Sequence, residues 1–361
     1  MRLCIIIVFA VFYRVVDAQD TTKKNPLTFS GYVEVYYSYD LSNPDSHERP
    51  FFFYNFNRHN ELNCNLGFLD ANYATDYVRA NFSLMAGTYA QYNLAGEQGL
   101  LKNVYEANAG FKLSRKKDVW LDAGIMPSHI GFESAIGKDC WTLSRSLCAE
   151  NSPYYQSGVK LSYTSLNNKW YLSVKYLTGW QRIQRVPGNH TPAFGTQIGF
   201  KPSSNVTLNW CTYAGNEQPD TMALWRYFNH LHGIFQLTEK FGITTGFDIG
   251  FQQHRDSLSK IDGMSNWYTP VVIFQFKPSA KIRIAARGEY YVDEDGVIIP
   301  TGTKNGFKTL GYSINLDYLP VENAMLRFEA RGLSSEDKIF MLDNKPSTMN
   351  YFFTTSLAVS F

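Results

Sequence analysis

The chain has 361 residues, 16% of them aromatic, with 34 Lys and Arg against 32 Asp and Glu for a formal net charge of +2. That balance offers no basic footprint for a polyanion, so nucleic acid is excluded as a partner. No run of about 18 apolar residues follows the N-terminal region, which excludes a helical membrane protein.

Residues 1–18 read as a secretory signal. Arg2 gives a positive start, 3–13 form an apolar stretch, and Val16, Asp17 and Ala18 surround a cut before Gln19. Cys4 lies inside the apolar stretch rather than after it, which argues against a lipid anchor. Residues 19–361 then form one domain, with no linker, repeat or low-complexity tract.

From residue 27 onward the chain breaks into period-two segments near 27–40, 60–73, 77–92, 103–113, 119–126, 154–164, 169–178, 194–201, 206–214, 226–237, 241–252, 268–276, 281–292, 308–318, 324–333 and 350–361. In the second, Leu62, Cys64, Leu66 and Phe68 alternate with Glu61, Asn63, Asn65 and Gly67. In the fourteenth, Leu310, Tyr312, Ile314, Leu316 and Tyr318 alternate with Thr309, Gly311, Ser313, Asn315 and Asp317. Successive strand side chains point to opposite faces, so each segment has one apolar and one small or polar face.

Short connections at 74–76, 114–118, 165–168, 202–205, 238–240, 277–280 and 319–323 take turns with longer ones, including 41–59, 127–153, 179–193, 253–267, 293–307 and 334–349. A soluble β-sandwich would explain the alternation but not this strict succession. The pattern predicts an all-β fold: a transmembrane antiparallel β-barrel of about 16 strands, with short periplasmic turns and long extracellular loops. Tyr36, Tyr37, Tyr39, Trp170, Tyr290 and Tyr318 stand near strand ends, where interfacial girdles belong.

A barrel of about 16 strands is wide enough for an aqueous channel unless something narrows it. The candidate is the longest connection, 127–153, which carries Glu133, Lys138, Asp139, Arg145 and Glu150 and is expected to fold into the lumen. Arg79, Arg283, Arg287, Arg327 and Arg331 fall in the lumen phase of their strands, with Glu289 and Glu329 in the same phase. They either oppose the loop to set a transverse field across the constriction or pair with one another and stiffen the wall.

Signals for other chemistry are weak. His230 and His232 share a strand face, but no third metal ligand is identifiable from sequence. Nucleophile motifs and glycine-rich phosphate loops are absent, so neither catalysis nor a cofactor is expected. Asn81, Asn189 and Asn205 match glycosylation sequons by chance. Cys64, Cys140, Cys148 and Cys211 are too few for a disulfide scaffold; Cys140 and Cys148 share one loop and could pair in an oxidising compartment.

The segment from Asp122 to Ser146 (DAGIMPSHIGFESAIGKDCWTLSRS) resembles the β-barrel porin family described as OmpL-like, found in Gram-negative bacteria. So do Ala149 to Tyr155 (AENSPYY), Gln91 to Ala95, Gly179 to Gln184 and Ala286 to Tyr291. The resemblance implies an outer-membrane barrel passing small hydrophilic solutes or ions by passive diffusion, embedded in outer-membrane lipid, with no catalytic residues to carry over. Cys148 stands where the family would have a small apolar residue. The terminal Phe361 fits the C-terminal aromatic favoured by the barrel assembly machinery, and an oligomer is compatible with the family. A barrel serving as a platform for an enzyme or adhesin is the alternative.

Overall fold

A computed structural model describes residues 25–256 and 260–361. The predicted signal at 1–18 lies outside the described residues. The strands are β1 (Leu27–Asp40), β2 (Leu62–Ala74), β3 (Val78–Ala86), β4 (Val104–Lys112), β5 (Asp118–Pro127), β6 (Tyr155–Thr164), β7 (Trp170–Leu177), β8 (Ala193–Ser203) and β9 (Val206–Asn216). They continue with β10 (Trp225–Gln236), β11 (Phe241–Arg255), β12 (Ile261–Ser279), β13 (Ile282–Asp293), β14 (Phe307–Val321), β15 (Ala324–Ser335), β16 (Phe340–Leu342), β17 (Lys345–Ser347) and β18 (Met349–Ser360).

β16 and β17 form a small hairpin in the last loop. The other 16 strands close into one antiparallel barrel in which β1 pairs with both β2 and β18. Backbone bonds between Gly31 and Phe361, at 2.8 and 3.0 Å, finish the seam. Closure matters because a barrel leaves no row of unpaired backbone groups facing lipid.

The two faces follow the alternation. On β14, Leu310, Tyr312, Ile314, Leu316 and Tyr318 are exposed, whereas Thr309, Ser313, Asn315 and Asp317 point inward and are buried. Outward rows of this kind recur on β7, with Leu172, Val174 and Tyr176, and on β18, with Phe353 and Leu357. In water such rows would be a liability; against lipid they match the solvent. Trp170 and Tyr318 flank short turns and Tyr37 and Tyr39 flank a long loop, as interfacial residues should.

The interior differs from a water-filled tube. Phe52 and Phe53 from the first loop, Leu147 from the third, Ile299 from the loop after β13 and Phe340 from the last hairpin pack on inward-facing Phe228, Trp267, Tyr291, Phe307 and Phe352. Phe52 and Phe307 meet at 4.9 Å and Phe228 stacks on Trp267 at 6.2 Å between ring centroids. The loop-side half of the lumen is therefore a packed apolar core. Asp293 fixes part of it by accepting the N–H groups of Val297, Ile298 and Ile299 at 2.8, 2.7 and 2.8 Å.

Four expectations change. The segment at 77–92 is not one strand: β3 stops at Ala86, Gly87 turns at φ 126°, and α1 (Thr88–Asn93) follows with Tyr89 and Ala90 buried. A Cβ at Gly87 would collide with the Asn65 carbonyl, so the break is specific to glycine. The connection at 253–267 is not long, because β11 and β12 stay paired from Gln252 opposite Ser265 to Arg255 opposite Ile261. Tyr36 belongs to no girdle; it points inward, 1% exposed, edge-on to Phe56 at 5.2 Å. Cys140 and Cys148 remain free thiols: Cys140 donates to the Ser134 carbonyl at 3.3 Å and Cys148 to Asp248 at 3.1 Å.

Candidate pore constriction

The third long loop, between Pro127 and Tyr155, leaves β5 and returns in β6 beside a pair of facing glycines. Gly124 (φ 129°) sits opposite Gly158 in the ladder. A side chain at Gly158 would strike the Tyr176 carbonyl, and one at Gly124 the Ala107 carbonyl.

His129 anchors the base of the loop. Its Nε2 lies 2.8 Å from the Thr212 carbonyl, which can only accept, so Nε2 carries the proton. Burial, helped by the neighbouring Lys175, pushes the imidazolium down to about 3, so the ring is neutral and Nδ1 is an acceptor. The Gln156 amide nitrogen has no other partner, and turning that amide lets its N–H donate to Nδ1.

The far arm is clamped to the wall formed by β13, β14 and β15. Arg327 forks onto Asp317 at 2.7 and 3.0 Å and donates to the carbonyls of Gly137 and Cys140 at 2.6 and 2.9 Å. Arg287 donates to the Thr142 hydroxyl at 3.0 Å, the Ser144 carbonyl at 2.7 Å and Glu329 at 3.1 Å. Arg331 reaches the Arg145 carbonyl at 2.8 Å and Glu289 at 2.5 Å.

The wall also accepts from the loop. Asn315 takes the Leu143 N–H at 2.9 Å, while Glu329 and Glu289 take those of Ser144 and Leu147 at 2.6 Å each. Each cation thus has both a carboxylate and loop carbonyls, the arrangement that makes a buried charge tolerable.

The loop's own charges turn inward too. Arg145 holds the carbonyls of Ser134, Leu143 and Ala135 at 2.7, 2.5 and 3.0 Å, and Glu133 accepts from the Ser146 N–H and hydroxyl. Glu150 accepts the N–H groups of Tyr54 and Asn55 at 2.8 and 3.2 Å, tying the first loop to the third. Lys138 donates to Ser360 on β18 at 2.6 Å, and Asp139 is exposed.

The ten sequence-predicted residues therefore divide. Arg145, Arg287, Arg327, Arg331 and Glu133 form one buried network, whereas Glu150 ties the loop to the first loop instead. Lys138 lies on the β18 side of the same loop, and Asp139 is exposed. Arg79 lies apart, bidentate on Asp122 at 2.6 Å for each bond, and Arg283 is half-buried with no ion pair among the described residues. The sequence reading missed Asp317 and Asn315 as partners, although both stand in the lumen phase of β14.

The histidines have company that spacing could not reveal. His230 Nδ1 pairs with Asp248, which also accepts from Cys148, and one ligand atom from each of the three lies within 4.8 Å of the others. His232 Nδ1 meets His230 Nε2 at 2.9 Å. Residues that could hold a cation are therefore present, although Asp248 already accepts from two donors.

On the other side of the loop a cavity of about 680 Å³ runs from Met126, Pro127 and His129 down the inner faces of β6 to β9, as far as the β6–β7 turn. Its lining mixes polar and apolar surface and reaches the exposed Asn168, Lys169 and Lys201 at the short-turn end, so the loop divides the lumen into a clamped side and an open side.

The outer-membrane channel DcaP of Acinetobacter baumannii superposes with a TM-score of 0.61 at 13% identity, covering 93% of this chain and 97% of that one. In-vitro folded OmpT, an outer membrane protein of Vibrio cholerae, gives 0.59 at 11% identity over 94% and 99% of the two chains. An anion-selective porin from Comamonas acidovorans gives 0.60 at 7% identity over 93% and 99%. At such identities the likeness is one of fold. No curated protein matches the sequence. The family described as "Putative beta-barrel porin-2, OmpL-like" matches residues 26–361, and the chain belongs to it, a porin-like barrel of the bacterial outer membrane.

Proposed function

We propose that the protein is a passive channel for small hydrophilic solutes in which the 127–153 loop is the constriction. The observation that carries this reading is the clamp of Arg287, Arg327 and Arg331 on the loop inside a closed barrel. The clamp leaves the lysine-lined cavity along β6 to β9 as the solute-accessible side. The packed aromatic residues above it make the channel narrow and gated by the loops rather than an open tube. Selectivity then belongs to the open side, because the clamp arginines are spent on carboxylates and carbonyls.

The protein works without catalysis in this reading, which its family membership supports. Phe361, exposed at the barrel seam, is the group offered to the assembly machinery. Liposome swelling with uncharged solutes of graded size tests the proposal. Entry should fall steeply with solute size, whereas impermeability to the smallest solute would reject it.

Glu150 adds a pH dependence. Burial pushes its carboxyl up to about 7, against about 4.3 for a free glutamate. Between those values the folded protein holds a proton that the unfolded chain releases, so this contribution is complete below about pH 4 and lost as pH rises through 7. Wild type should gain on the order of 3 kcal/mol between pH 8 and 4 relative to Glu150→Gln. Unfolding midpoints followed by the heat-modified mobility shift check this; parallel pH profiles would contradict it.

A further inference from the structure

The cavity below the loop is lined by four lysines, Lys160, Lys169, Lys175 and Lys201, and by no carboxylate among its lining residues. Two of these lysines are direct cross-strand partners: Lys160 on β6 faces Lys175 on β7 in the ladder. Opposed residues in an antiparallel pair have Cβ atoms about 5 Å apart, and like charges in that position repel.

The acidic groups nearby, Asp122 and Glu106, lie on the Lys160 side of the pair and leave Lys175 without a counter-charge. Lys160 lies 3.4 Å from Asp122, but Asp122 already takes both bonds of Arg79, so one carboxylate serves two cations. Lys175 is only 5% exposed and has no ion pair or hydrogen bond among the described residues. The neighbouring lumen groups on β8 and β9, Gln197 and Asn209, are neutral amides bonded to each other at 3.1 Å. A largely buried ammonium with no counter-charge is costly, and a second ammonium beside it makes it more so. Such a pair is stable when an anion bridges it.

We infer that Lys160 and Lys175 form an oxyanion-binding site in the lumen, taking a small solute that carries a phosphate or similar group. The inference deepens the channel reading, since it makes the cavity a station on the solute path below the constriction. Lys169 and Lys201, joined by a 2.8 Å backbone bond at the periplasmic mouth, extend the positive wall to the exit. The amide pair of Gln197 and Asn209 supplies neutral polar groups on the adjoining cavity wall.

The test is calorimetric titration of inorganic phosphate into the detergent-refolded barrel at low ionic strength, which requires no conduction. Wild type should bind with saturation, and Lys175→Gln and Lys160→Gln should each weaken binding roughly tenfold or more, the scale of one lost charged hydrogen bond. Lys116→Gln, in the exposed β4–β5 turn, should bind as wild type does. Lys175→Gln removes an uncompensated charge and should fold at least as well; if it does not, Lys160→Gln decides alone. Absence of saturable binding to wild type overturns the site, as does equal affinity in both lumen variants. The channel reading fails separately: phosphate binding to a barrel that admits no solute would preserve the site and reject the channel.

Discussion

Arg287→Ala should destabilise the barrel by about 3–5 kcal/mol and loosen the 142–147 segment, because removing one partner of a buried network leaves the others uncompensated. Glu289 lies 3.3 Å and Glu329 3.1 Å from this guanidinium, both fully buried, and the Ser144 carbonyl keeps only the Thr142 hydroxyl, at 3.1 Å, of its two donors. Arg287→Lys should rescue little, since a single ammonium cannot fork between the Ser144 and Thr142 acceptors and a carboxylate at once.

The control is Arg283→Ala on the same face of the same strand. Arg283 has no ion pair among the described residues, so its loss should cost less than about 1 kcal/mol. Denaturant unfolding in detergent measures both. Equal effects at the two positions would show that the clamp contributes nothing specific.

Gly158→Ala should leave little heat-modifiable barrel. The backbone conformation at Gly158 (φ 155°) is one that L residues rarely adopt, and strain of that kind costs on the order of 1–3 kcal/mol by itself. The added methyl also strikes the Tyr176 carbonyl within the ladder, so β6 and β7 must separate where the third loop re-enters the wall. The folded fraction after refolding, read from the mobility shift, checks this. Refolding equal to wild type would mean that the paired glycines do not shape the loop's exit. Gly288→Ala makes a suitable control, since its Cβ would meet only a Val272 methyl at 3.9 Å.

Much of this architecture was written in the alternation. Lipid and lumen impose opposite demands on successive residues, so β14 and β18 declare their faces in sequence, and the 16 barrel strands follow from counting such segments. Boundaries were less legible where a different rule overrode the pattern. Gly87 ends β3 through a backbone approach that leaves no trace in hydrophobicity, and the stretches from Gln252 to Arg255 and from Ile261 to Ser265 read as loop although they stay paired.

The structure buries Arg287, Arg327 and Arg331 on the inner face, but phase carries no information on partners. The acceptors that decide the role of Arg287, Arg327 and Arg331 include backbone carbonyls of Gly137, Cys140, Ser144 and Arg145, which are identical at every position of any sequence. Arg79 and Arg283 share their phase and lie away from the clamp. The grouping of Cys148 with His230 and Asp248 joins residues 82 to 100 positions apart from Cys148 and depends on the loop already being folded inside. Lys160 and Lys175 share that inward phase, but the sequence reading did not name them, because only the hairpin register brings them opposite one another.

The most direct test of the constriction is single-channel conductance of the protein refolded from Gln19 onward, wild type against Arg287→Ala/Arg331→Ala. Small, size-restricted steps in wild type and clearly larger steps in the double variant are the predicted result, because the loop is released from the β13–β15 wall. The same conductance in both proteins, each folded by mobility shift, would contradict the claim that this loop sets the pore.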